Sequence, residues 1–191
     1  MPNAHTMARH LLFSACLFSI AACTSNLKAS PPPAALAPLL GSISERLTLA
    51  DQVALTKWDS GKPIQDSPRE QQVIAAAARL APGYKLDADD VSRFLAAQIE
   101  ANKLVQYALI AHWHAAGKAP DSARPDLATQ IRPRLDQLQV QLLQDYAAFA
   151  PYRQAPDCPE WLGQQRARLA KDTVHDLALV RATGELCIQT K

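Results

Sequence analysis

Glycine is scarce in this chain: 6 residues in 191, against 35 Ala and 25 Leu. Aromatic residues make up only 6%. A sandwich or barrel draws on turn glycines and on β-branched and aromatic residues, so this poverty argues against β architecture and for an all-α protein. Charge of one sign is also lacking. Twenty Lys+Arg stand against 18 Asp+Glu, a net charge of +2, too even for a dedicated nucleic-acid binder. No apolar run reaches the ~18 residues that a membrane-spanning helix needs. There is no GxSxG elbow, no glycine-rich phosphate loop and no HExxH, and His112 and His114, two apart, fall on different faces of a helix. With 48% hydrophobic and 20% charged residues, the chain can bury a core the size of one domain.

The first 22 residues carry one formal charge, on Arg9, before the apolar run from Leu11 to Ala22. A charged start, a short apolar stretch and small residues follow the plan of a signal peptide, over 1–22. Ile20-Ala21-Ala22-Cys23 resembles a bacterial lipobox, which would make Cys23 a lipidated first mature residue; ordinary cleavage nearby is the competing reading. Residues 23–38, with Pro31-Pro32-Pro33, are expected to form a flexible tether. Export is therefore expected, to a bacterial periplasm, with or without a lipid anchor, or to the medium. In such a compartment the two remaining cysteines, Cys158 and Cys187, most simply pair.

Five helices are predicted. The first runs from about Ala34 to Ser60, with Leu36, Leu40, Ile43, Leu47, Ala50 and Ala54 on one stripe. The second opens on a Ser67 cap with Pro68 and a Glu70 box, and ends near Ala81. The third spans Asp87 to Ala116, closed by Gly117. The fourth carries Leu135, Leu138, Leu142, Tyr146 and Phe149, with Pro133 near its first turn. The last carries Leu162, Leu169, Val174, Leu177 and Val180 toward Cys187.

Some residues do not suit a plain bundle. Gln98, Asn102 and Gln106 interrupt the apolar stripe of the third helix, and buried amides need polar partners. Arg46 and Lys57 lie three turns apart on one face of the first helix, ~16 Å by helical rise, with Ala50 and Val53 between them. That is a slot for a compact anion with a hydrophobic body. Arg69 occupies the first turn of the second helix, where the dipole disfavours a cation. Each feature also has a structural explanation, an amide network or solvated cations.

In order, Glu45-Arg46-Leu47, Lys57-Trp58, the run from Pro63 to Glu70 (PIQDSPRE) and the run from Gln98 to Tyr107 (QIEANKLVQY) resemble the all-helical chorismate mutases. The signal, the extra C-terminal helices and the cysteine pair resemble their exported subclass. The resemblance covers about Leu39 to Cys187 and implies a chorismate mutase domain over 39–191, a type II-like helical bundle. It implies a monofunctional isomerase that converts chorismate to prephenate by a unimolecular Claisen rearrangement, with no nucleophile, metal or redox cofactor. Catalysis then consists of holding a flexible dianion in its compact conformer and stabilising charge on the breaking ether oxygen.

By the same resemblance, Arg46 and Arg132 would clamp the carboxylates, with Arg69 assisting and Asn102 close to one of them. Lys57 and Gln106 would donate to the ether oxygen. Glu70 and the backbone around Asp66 would receive the ring hydroxyl. Arg132 is preferred to its neighbour Arg134, which stands close enough to compete. Where some exported members carry Glu, this chain has Gln106, which donates at any pH. The resemblance also implies a site within one chain, in a protein that is often a homodimer. The competing reading is a non-catalytic exported lipoprotein that binds a partner or senses a small aromatic-pathway acid.

Overall fold

The computed structural model describes residues 30–188, and the expected signal segment and Cys23 lie outside them. Among the described residues the structure has helices and no strand, with six α-helices: α1 (Leu36–Ser60), α2 (Ser67–Leu80), α3 (Ala88–Ala116), α4 (Arg132–Phe149), α5 (Cys158–Leu169) and α6 (Thr173–Thr183). Short 3-10 turns follow α2 and α4, and a π-helical turn, Leu127–Ile131, leads into α4.

The helix ends follow from local chemistry. The first two stops without a proline are both Gly in the left-handed region: Gly61 (φ +62°) ends α1 and Gly117 (φ +72°) ends α3, a conformation without steric cost only where there is no Cβ. Asp87 caps α3 by accepting from the amides of Asp89 and Asp90, both at 2.9 Å. The cap of α2 is one residue earlier than the sequence predicts. Asp66, not Ser67, accepts from the Arg69 amide (3.2 Å), and Glu70 Oε1 returns to accept from the Asp66 amide (3.1 Å). Both Asp and Ser can cap, and Asp66 takes the position with its carboxylate on the Arg69 amide and its own amide on Glu70. Pro133 does sit in the first turn of α4.

The long helix α3 is the spine, packed against α1, α2 and α6, while α1 also lies along α4. The predicted α1 stripe is the buried one, Leu142, Tyr146 and Phe149 bring α4 onto the core, and Leu138 is buried as well. Phe94 stacks on Tyr146 at 4.4 Å between ring centroids. Each fully buried Leu or Phe of this set stabilises the fold by roughly 1.5–3 kcal/mol.

Two further expectations are corrected. The single C-terminal helix is two, α5 and α6, separated at Ala170–Asp172. Asp172 starts the second by accepting from the amides of Val174 and His175, both at 2.9 Å. The break shifts the helical phase, so Leu177 and Val180, expected in the core, are 56% and 50% exposed, while Ala178, Leu179 and Ala182 face inward. The expected tether, 23–38, is held where it is described. Ser30 donates from its amide (3.0 Å) and hydroxyl (2.5 Å) to Asp157, its carbonyl accepts from Trp161 Nε1 (2.6 Å), and Leu36 is already a buried residue of α1. The predicted disulfide is present: Cys158 and Cys187 are bonded, closing α5 onto the segment after α6.

Candidate active site

Four elements leave a cavity of about 160 Å³ between them: α1, the start of α2, the middle of α3 and the first two turns of α4. All eight residues predicted for substrate binding line it: Arg46, Lys57, Asp66, Arg69, Glu70, Asn102, Gln106 and Arg132. Arg134 does not. It turns outward and pairs with Glu45, its Nε donating to Glu45 Oε1 at 3.0 Å. A larger open cleft of about 470 Å³ adjoins the cavity and shares Lys57, Leu127 and Arg132 with it.

Helical spacing explains the convergence. Arg46 and Lys57 come from one face of α1, with buried Val53 between them lining the floor. Asn102 and Gln106 are one turn apart on α3, and Gln106 Nε2 donates to Asn102 Oδ1 at 2.7 Å. Asn102 in turn donates to the backbone carbonyl of Arg46 (3.1 Å), fixing α3 against α1 at the cavity wall. Gln98, the third amide of the stripe, belongs elsewhere: it donates to the Ala182 carbonyl at 2.6 Å and joins α3 to α6. The stripe thus divides into one structural amide and two that face the cavity.

The electrostatics of the cavity are those of an anion site. Arg46 is only 6% exposed, yet its Nε has no hydrogen-bond partner. Burial pulls its guanidinium down to about 10, with Asp136 opposing the shift. The Lys57 ammonium donates to the Pro63 carbonyl at 2.7 Å, which steadies the chain between α1 and α2. Burial holds it below the usual lysine range; Arg132 and Lys62 push the same way and Asp66 opposes them. Among the described residues Arg46, Lys57, Arg69 and Arg132 make no salt bridge. With Lys103 they make five cations around the cavity, against the carboxylates of Asp66, Glu70 and Asp136, an excess of two positive charges. Unpaired arginines in a partly dry site are matched by carboxylates, which accept both prongs of the fork.

Sequence reasoning missed Lys103, Asp136 and Gln139, together with the apolar lining of Ile64, Val73, Ile99, Leu127 and Leu135. Arg132, Leu135, Asp136 and Gln139 recur at steps of three and four. That periodicity could have extended the site along α4 once Arg132 was chosen. Lys103 gave no such signal, because its neighbour Asn102 already accounted for that turn of α3.

A helical bundle that lines a small cavity with one buried and two exposed guanidinium groups free of salt bridges, an ammonium and two wall amides has the makings of a site for a compact dianion. Comparison with known proteins narrows the class. Residues 37–107 match the family model of chorismate mutase type II. A secreted chorismate mutase of Mycolicibacterium smegmatis (strain ATCC 700084 / mc(2)155) is 33% identical over 156 residues, 80% of this chain and 86% of that protein. A crystal structure of chorismate mutase from Burkholderia phymatum shares 44% identity and a TM-score of 0.77, covering 81% of this chain and 97% of that one. A second, from Burkholderia thailandensis, shares 38% identity and a TM-score of 0.78, covering 81% of this chain and all of that one (100%). The chain belongs to the chorismate mutase family.

Proposed function

We propose that the protein is a monofunctional chorismate mutase, converting chorismate to prephenate in a single intramolecular step. The observation that carries this reading is Arg46: a buried guanidinium with an unpartnered Nε, in a cavity whose charge is positive by two. Asp136 offsets its charge only in part, and chorismate brings two carboxylates that can meet the open Nε.

The residues supply the two things that the rearrangement needs. Arg46 and Arg132, with Arg69 at the rim, hold the carboxylates and so select the folded conformer in which the reacting carbons meet. Lys57 donates to the ether oxygen, where negative charge grows as the C–O bond breaks. Gln106 donates from the opposite wall through the Nε2 proton that Asn102 does not use. Both are fixed before the substrate arrives, so little reorganisation is left for the reaction itself. Glu70 and the Asp66 amide, hydrogen-bonded to each other, are placed to exchange that bond for the ring hydroxyl.

The apolar segment before Cys23, the oxidised cysteine pair and the secreted relatives all support export. We read the lipobox-like Ile20-Ala21-Ala22-Cys23 as a lipid-anchor signal of a periplasmic protein. The resemblance to the exported subclass also suggests a homodimer whose sites each lie within one chain, and the cavity lined by this chain's α1 to α4 is consistent with that.

The test mixes purified, disulfide-bonded protein with chorismate and follows its ultraviolet absorbance, with prephenate identified by acid conversion to phenylpyruvate. Saturable loss of chorismate is expected. Loss at only the spontaneous rate, from folded protein, would leave the cavity as a binding site and favour a sensor.

A further inference from the structure

Lys103 lines the cavity and is 7% exposed, but it differs from the other four cations in that its charge is spent. Its ammonium has three protons and meets three acceptors: Glu100 Oε1 at 2.7 Å, Glu70 Oε2 at 3.0 Å and Gln65 Oε1 at 3.0 Å. Glu100 lies on α3 itself, Gln65 in the chain between α1 and α2, and Glu70 in the first turn of α2. One ammonium therefore fastens the α2 entrance to the spine helix. The consequence for Glu70 is specific. With Oε2 held by Lys103, its other oxygen, Oε1, meets the Asp66 amide. Asp66 and Asp136 are the other carboxylates lining the cavity, and Lys103 is the cation that pairs with Glu70.

We propose that Lys103 is a positioning residue: through Glu70 it presets the carboxylate and the Asp66 amide that receive the ring hydroxyl, and so sets the preference for a hydroxyl-bearing substrate. This inference rests on the chorismate mutase reading of the cavity. Lys103 is not placed to clamp a substrate carboxylate, since each of its protons is already committed. Its influence is on which ring is bound, and less on how fast the ether bond breaks. An interaction that a hydroxyl makes equally in ground and transition states appears in KM and not in kcat. A purely structural staple would instead lower the amount of folded enzyme and leave KM and substrate preference where they were.

The experiment compares the wild type with Lys103→Met and Lys103→Arg, each in the full disulfide-bonded protein. The substrates are chorismate and its analogue with hydrogen in place of the ring hydroxyl. Lys103→Met should raise KM for chorismate by ~10- to ~100-fold, the range for loss of a charged hydrogen-bond partner, with kcat much less affected. Its preference for chorismate over the deoxy analogue should shrink, and Lys103→Arg should recover part of both effects. If the Met variant does not fold, Lys103→Gln, which removes the charge while keeping a polar side chain, must still show a KM rise and a loss of preference in the same direction. A folded variant with unchanged KM and preference, or equal losses on both substrates, overturns the proposal. Wild-type protein that leaves chorismate untouched overturns the mutase reading and this inference with it, and that result is visible before any variant is made.

Discussion

At the scale of single residues, Arg46 is where function and stability oppose each other. Its guanidinium is buried and pulled down to about 10 by desolvation, so below that pH folding carries the cost of a buried charge. Arg46→Met should therefore abolish turnover while leaving the melting temperature equal or higher, as removal of a strained functional group often does. Thermal melts beside the chorismate assay decide this, and a clear drop in melting temperature would show Arg46 to be structural. Arg46→Ala and Lys57→Ala should each lower kcat/KM by ~10²-fold or more, the scale of losing one preorganised donor. Retained activity in both would end the mechanism. The wall amide sets the acid side of the pH profile, and the lysine, with Arg46, the alkaline side. Gln106 has no proton to lose, so activity should stay flat from about pH 5 to about pH 8. Lys57 is held below the ordinary lysine value of 10.5, so its charge, and with it kcat/KM, is lost on the alkaline side before pH 10.5. Gln106→Glu should convert the flat region into one that rises toward acid, because a carboxyl donates only when protonated.

At the scale of elements, what could be read in the sequence was whatever chemistry announces locally. The α1 stripe, the Gly117 stop and the Asp87 start of α3 were legible because each rests on residues adjacent in the chain. Arg46 and Lys57 were legible as a pair because one helix carries both. The α5–α6 break was not. Ala170-Lys171-Asp172 holds neither Gly nor Pro, and only the Asp172 cap marks the restart. The charge partnership of Lys103 was hidden for a different reason: it joins α3 to residues more than 30 positions earlier, and spacing within a helix says nothing about what lies across from it. The Asp172 cap can be weighed directly. Its carboxylate also meets His175 Nδ1 at 2.7 Å, and His175 Nε2 reaches Asp51 on α1 at 3.0 Å, so the cap holds α6 to the bundle as well as starting it. Asp172→Ala should cost ~1 kcal/mol or somewhat more, a drop of roughly 2–4 °C per kcal/mol in a chain of this size. None of these residues lines the cavity, so kcat and KM measured below the transition should not move.

At the scale of the whole molecule, the cysteine pair separates the part that reacts from the part that holds. The cavity is built by α1 to α4, whereas Cys158 and Cys187 join α5 to the segment after α6. That segment is fixed a second way: Ile188 donates to the Arg153 carbonyl at 2.8 Å, and the buried Arg153 side chain donates to the carbonyls of Leu186 and Glu185 and pairs with Asp90 at 2.6 Å. Arg153 also lies over the Tyr146 ring, 5.1 Å from its centroid, so the C-terminal segment is seated on the core by groups that do not depend on oxidation state. Reduction should therefore leave the native structure in place and act mainly on the unfolded chain. Opening a loop of 29 residues removes ~3–4 kcal/mol of stabilisation in the chain-entropy account. Reduced protein and Cys187→Ser should melt roughly 6–16 °C lower than oxidised wild type at this chain length, with kcat and KM for chorismate unchanged at temperatures where both are folded. Melts with and without reductant, paired with kinetics at one temperature below both transitions, separate the two effects. Were kcat to fall in reduced protein of unchanged helicity, α5 and α6 would have to be shaping the cavity through α1 and α3, against which they pack, and the division between reacting and holding parts would not stand.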